Sequence, residues 1–75
     1  MLFMATPTAQ LKLAAQIKKI RQKKGLSQEE MSRRTGIHLR NYQRMESQSP
    51  RAMRVDTLDR IAKALNVPLK KFFDF

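Results

Sequence analysis

Between Gly25 and Gly36 the chain has room for a helix of only about two turns. Ser27-Gln28-Glu29-Glu30 opens it as a capping box. Ser27 is placed to accept from the amide three residues on, and Glu30 to reach back to the Ser27 amide. Thr35-Gly36 closes it. A second short segment begins near Ile37 and continues to about Glu46, until Ser47-Gln48-Ser49-Pro50 breaks the chain again. The backbone has to reverse sharply between the two segments. Positive φ is cheap only for glycine, so Gly36 is the pivot. Ser32 presents a small side chain where the second helix must come close.

The flanking segments are equally short. Thr8 is expected to cap a helix that runs to about Lys24, with Leu13, Ile17 and Ile20 on one face and Gly25 ending it. Asp56 is expected to cap another, whose face is Leu58, Ile61, Ala62 and Leu65, ending at Asn66. Pro68 suits the first position of a last helix, Leu69 to about Phe73. Residues 1–7 read as a flexible N-terminal arm and residues 8–75 as one domain. No run alternates with period two over strand length, so the expected fold class is all-α. Two helices, about 28–34 and 38–46, joined by a tight turn have the shape of a helix-turn-helix.

A 75-residue chain buries only about 60% of its unfolded surface and needs support. It has no cysteine, which excludes a disulfide scaffold, a thiolate zinc site and thiol catalysis. One histidine does not make a metal site. Helix packing and self-association remain. Sixteen Lys and Arg against six Asp and Glu give a net charge of +10, which calls for a polyanionic partner. Residues 11–54 hold twelve basic and three acidic side chains, net +9, whereas residues 55–75 are net +1. No stretch approaches the apolar length of a membrane span or a signal peptide, so no membrane association is expected and a cytoplasmic location is.

Helical rotation sorts the second short helix into two faces. Tyr42 and Met45 fall on one side with Asn41 flanking, and Leu39, Arg40, Gln43, Arg44 and Ser47 fall on the other. Arginine matches guanine O6/N7, glutamine matches adenine N6/N7, and an apolar tip meets a thymine methyl. Two arginines four apart repel, which suits an anionic partner. Solvation of an ordinary surface helix is the competing reading of Arg40 and Arg44, and core packing that of Leu39.

The stretch from Ile17 to Phe73 resembles the Cro/C1-type (XRE-like) helix-turn-helix family. The residues that carry the likeness are Ile20-Arg21, Gly25-Leu26-Ser27-Gln28-Glu29-Glu30, Thr35-Gly36-Ile37, Gln43-Arg44-Met45-Glu46, Thr57-Leu58 and Ile61-Ala62-Lys63-Ala64-Leu65-Asn66-Val67. The resemblance implies a five-helix, lambda-repressor-like DNA-binding domain. It implies base reading by Leu39, Arg40, Gln43 and Arg44, and phosphate or base contact by Gln28 at a helix N-terminus. It also implies a structural ion pair between Arg21 and Glu46. Glycine is common in the family after the Glu46 position, where this chain has Ser47-Gln48. Tyr42 replaces the commoner Ile or Val, and its hydroxyl needs a partner or an exit to water.

Ser27, His38, Lys23, Arg51 and Arg54 complete the candidate phosphate contacts. His38 serves equally as a cap or as an ordinary polar side chain. Leu69, Phe72, Phe73 and Phe75 are more apolar surface than one small core absorbs, and they are the candidate dimer interface. Core packing is the competing reading of Leu69 and Phe72. The expected function is that of a sequence-specific DNA-binding transcriptional regulator. It would bind an inverted-repeat operator in double-stranded DNA as a homodimer, like restriction–modification controller proteins and phage repressors. The alternative is an antitoxin or adaptor using the same fold mainly to bind protein. A basic amphipathic helix at a membrane, resting on residues 11–24, ranks below both. No enzymatic activity, cofactor, metal or small-molecule ligand is expected, because no nucleophile–base pair and no phosphate-cradling glycine loop is present.

Overall fold

The computed structural model describes residues 8–47 and 53–75. The expected arm at residues 1–7, Arg51 and the middle of the loop before the fourth helix lie outside the described residues. Among those described, four α-helices and one 3₁₀ helix occur and no strand does: α1 Thr8–Lys23, α2 Gln28–Thr35, α3 Leu39–Met45, α4 Val55–Leu65 and the 3₁₀ helix η1 Leu69–Phe73. The all-α expectation holds. Of the five expected helices the last is 3₁₀, with Lys71 donating its amide to the Pro68 carbonyl at 3.0 Å. Pro68 is the residue before that helix rather than its first.

Left-handed residues end three of the helices. After α1, Gly25 (φ 73°) donates to Gln22 O and Leu26 to Arg21 O, the paired bonds of a Schellman ending. After α4, Asn66 (φ 59°) takes the same conformation, with Val67 donating to Ala62 O at 3.0 Å. Gly36 (φ 73°) ends α2. A Cβ there would meet no atom within 4 Å, so the glycine is needed for its backbone angle and not for space.

Two cap expectations are corrected. α4 begins two residues earlier than expected, with Arg54 at its cap, and Asp56 lies inside the first turn. There its carboxylate accepts from the Thr57 amide at 2.9 Å and sits 3.4 Å from Arg54, where it also meets the positive end of the helix. Of the capping box, only the Ser27 half forms, accepting from the Glu30 amide at 3.0 Å. The Glu30 carboxylate turns instead to Arg33 and Arg34, one turn further along α2, at 3.8 and 3.9 Å.

The core draws on every element: Leu13 and Ile17 of α1, Met31 of α2, Tyr42 of α3, Leu58, Ile61, Ala62 and Leu65 of α4, and Phe72 of η1. The helix-turn-helix packs α3 on α2, and α2 on α4. On the other side of the molecule, η1 packs against both α1 and α4. None of the described helices is long and apolar enough to cross a membrane.

Candidate nucleic-acid interface

The turn between α2 and α3 is fastened by side-chain hydroxyls. Ser32 Oγ donates to the Ile37 carbonyl at 2.5 Å. Thr35 Oγ1 donates to the Met31 carbonyl at 2.6 Å and accepts from the Ile37 amide at 3.2 Å. Ser32 therefore does more than stay small: its hydroxyl ties the start of α3 to α2.

With seven residues, α3 is too short to hold itself as a helix, and its orientation depends on what it is fixed to. Its buried side is fixed by a polar knot. Arg21 Nε and Nη2 donate to the two carboxylate oxygens of Glu46 at 2.8 and 3.0 Å, and Arg21 Nη1 donates to the Leu26 carbonyl at 2.6 Å. The Tyr42 hydroxyl donates to Glu46 Oε2, and Gln28 Nε2 donates to Glu46 Oε1 at 3.2 Å. One carboxylate thus gathers side chains from α1, α2 and α3. The Glu46 side chain is 1% exposed, so a lone charge there would be costly; four donated hydrogen bonds make it tolerable. The hydrogen bond to Glu46 raises the Arg21 guanidinium above its ordinary pKa, against the opposing effect of burial. Burial, and then the adjacent carboxylate, push the Tyr42 phenol well above its ordinary value.

The opposite side of α3 is bare. Arg40, Gln43 and Arg44 are exposed, and among the described residues none has a side-chain hydrogen bond or ion pair. Leu39 is half-buried, lies outside the core cluster and lines a shallow surface pocket together with Ser32 and Arg33 of α2. Asn41, placed by rotation beside the buried face, is exposed and lines a cleft with Arg44, Thr57 and Arg60. Rotation puts it about 60° from Arg44. That signal was present in the sequence, and asparagine is an adenine-matching side chain.

The remaining candidates spread around this face. Gln28 is half-buried; its amide is bound to Glu46 through one N–H, which leaves a second N–H and the carbonyl oxygen. Ser27 is exposed and already accepts its capping bond. His38 stands at the start of α3 with no side-chain capping bond, which removes the cap reading. Arg54 is exposed beside Asp56. Lys23 is not brought together with this face. It lines a groove between α1 and η1, on the flank of α1 turned away from Arg21. Of the expected dimer residues, Phe73 and Phe75 are 51% and 57% exposed, and Leu69 is half-buried against the core. Phe72 is corrected: it is wholly buried within the chain, so it has no surface to offer a partner.

This arrangement is that of a DNA-binding regulator, and the family comparison agrees. The helix-turn-helix family model HTH_3 matches residues 17–72, and the chain belongs to that family. Among solved structures, the chain is similar to a Tyr-to-Phe mutant of the restriction–modification controller protein C.Esp1396I. The two share 29% sequence identity with a TM-score of 0.83, over 92% of this chain and 86% of that one. A search of curated proteins gives no match.

Proposed function

We propose that this chain is a sequence-specific transcriptional regulator that binds an inverted-repeat operator as a homodimer, in the manner of a controller protein. The observation that carries the reading is the two-sidedness of α3. Its inner side is bonded to α1 and α2, while Arg40, Gln43 and Arg44 stand outward without side-chain partners among the described residues. A side chain held free on a fixed helix is what base reading in a major groove requires. Asn41 joins that set. Gln28, Ser27, His38, Arg54 and Arg51 supply phosphate contacts, and their counterion release makes affinity fall steeply with salt. No cofactor, metal or small ligand enters this mechanism.

Phe73 and Phe75 supply the apolar part of the dimer contact, with Leu69 at its margin. They belong to the nearly neutral end of the chain, where two copies meet without strong repulsion. Such a pair sets two copies of α3 about 34 Å apart, one turn of duplex.

Selection of binding sites from a random duplex pool, followed by titration on selected and scrambled duplexes, tests the reading. A symmetric repeat with half-sites about one helical turn apart is expected. Equal affinity for selected and scrambled duplexes would overturn it. Sedimentation of Phe73→Ser/Phe75→Ser separates the dimer claim, since a monomer that still selects one half-site is the expected result.

A further inference from the structure

The two kinds of cation in this chain lie in different places. All eight arginines fall between residues 21 and 60, and all eight lysines lie outside the two helices of the helix-turn-helix. Four of those lysines converge. Lys19, Lys23 and Lys24 from the end of α1 and Lys71 from η1 line a groove of about 390 Å³, whose apolar part is Ile20 and Val67. Gln16 spans the two walls, donating Nε2 to the Lys71 carbonyl at 3.0 Å. Asp74 is the one acidic side chain among the lining residues, and among the described residues none of the four lysines forms an ion pair. Lys19 and Lys23 are four apart on one helix, an arrangement that costs stability unless an anion relieves it.

The groove does not share a face with α3. Ile20, Gln16 and Lys23 lie about 100–160° round α1 from Arg21, the residue that reaches toward the base-reading helix. It also differs from that face in chemistry. Among the described residues, no aromatic side chain lines it on which a base stacks. Its Ile20–Val67 floor, half-buried and packed on the core, asks for an apolar filler that a sugar–phosphate backbone lacks.

We propose that the groove between α1 and η1 docks an acidic, amphipathic peptide segment of a second protein, its carboxylates meeting Lys19, Lys23, Lys24 and Lys71 and its apolar side chains resting on Ile20 and Val67. Lys23 thereby serves a protein contact rather than a phosphate contact. The site stays open when α3 is engaged, so the chain holds DNA and a protein segment together.

The test is fluorescence anisotropy of a labelled decapeptide alternating Glu and Leu, titrated with the full-length chain and no DNA. Lys19→Gln/Lys71→Gln is expected to weaken binding about tenfold. The charge-matched control Lys18→Gln/Lys63→Gln, outside the groove, is expected to change it by less than about twofold. Equal losses for the two pairs would reduce the effect to net charge and overturn the proposal. So would equal binding of a Glu/Ser decapeptide, which has nothing to place on the floor. Competition by a single-stranded oligonucleotide with the same dependence on Lys19 and Lys71 would make the groove a phosphate surface instead. A last arm rests on the DNA reading: titration repeated with the selected duplex bound. Unchanged peptide affinity is expected there, and displacement of the peptide would overturn the claim of joint occupancy. Failure of duplex selection alone leaves the DNA-free titration to decide the groove by itself.

Discussion

Two regions of this small molecule are held together by different physics. Under α3, the contacts are polar and directional: one carboxylate, one guanidinium, one phenol and one amide. Between α1, α4 and η1 they are apolar, with Leu13, Ile17, Ile61, Leu65 and Phe72 removed from water. Apolar burial contributes free energy without fixing angles closely. A buried ion pair contributes little net stability against an apolar replacement, but its geometry is narrow. The contrast teaches that the seam keeps the chain folded, while the knot decides how α3 is aimed.

The largest expected effect lies in the seam. Phe72→Ala should cost about 3–5 kcal/mol, most of the stability of a domain this size. Urea denaturation measures it. A loss below about 1 kcal/mol would show that η1 is dispensable.

The knot is best broken in two ways at once. Glu46→Ala leaves Arg21 buried without its partner and should cost about 3–5 kcal/mol. The apolar triple variant Arg21→Met/Tyr42→Phe/Glu46→Leu should lose far less, or even gain stability, because no charge is then stranded. The same triple variant should discriminate poorly between selected and scrambled duplexes, because α3 is no longer held at one angle. If it keeps full discrimination, the distinction drawn between the two regions fails.

A smaller effect comes from alkaline pH. The folded chain holds the Tyr42 proton more tightly than the unfolded chain does. The stability this contributes is fully present below the ordinary tyrosine value of about 10 and is lost as pH rises from there toward the raised folded value. Tyr42 is the only tyrosine and there is no tryptophan, so tyrosinate absorbance reports this one group. It should appear with unfolding rather than before it. Tyr42→Phe should cost about 1 kcal/mol at neutral pH and show a shallower decline of the urea midpoint above pH 10.

The smallest effect on folding belongs to the outer side of α3. Arg44→Ala should leave stability within about 0.5 kcal/mol. It should relax preference at one base pair per half-site by about 1–3 kcal/mol, read as the affinity ratio of matched and mismatched duplexes. Equal weakening on every duplex would make Arg44 a phosphate contact.

What was legible in the sequence follows the range of the interaction. Periodicity and punctuation placed the helices and put Tyr42 inside, because those signals repeat within a few residues. Asp56 was misplaced because aspartate suits both a cap and a first helical turn. The reciprocal half of the capping box was lost to arginines three and four residues beyond Glu30, a local competition that the motif alone does not show. Arg21 and Glu46 came from family likeness and not from local pattern, since 25 residues separate them. The Gln28–Glu46 bond and the lysine groove depend on elements meeting in space. No short-range pattern encodes either.

The carboxylate of Glu46 has one more consequence. Because the side chains that hold α3 and those that face outward from it share no bonds, the outward set is open to replacement at little cost to the scaffold. On the proposed reading, exchange of residues 40, 41, 43 and 44 would redirect such a chain to a new target, while residues 21, 28, 42 and 46 serve as a common mounting. Preference for a new sequence would then be reached in single steps, without an unfolded intermediate along the way.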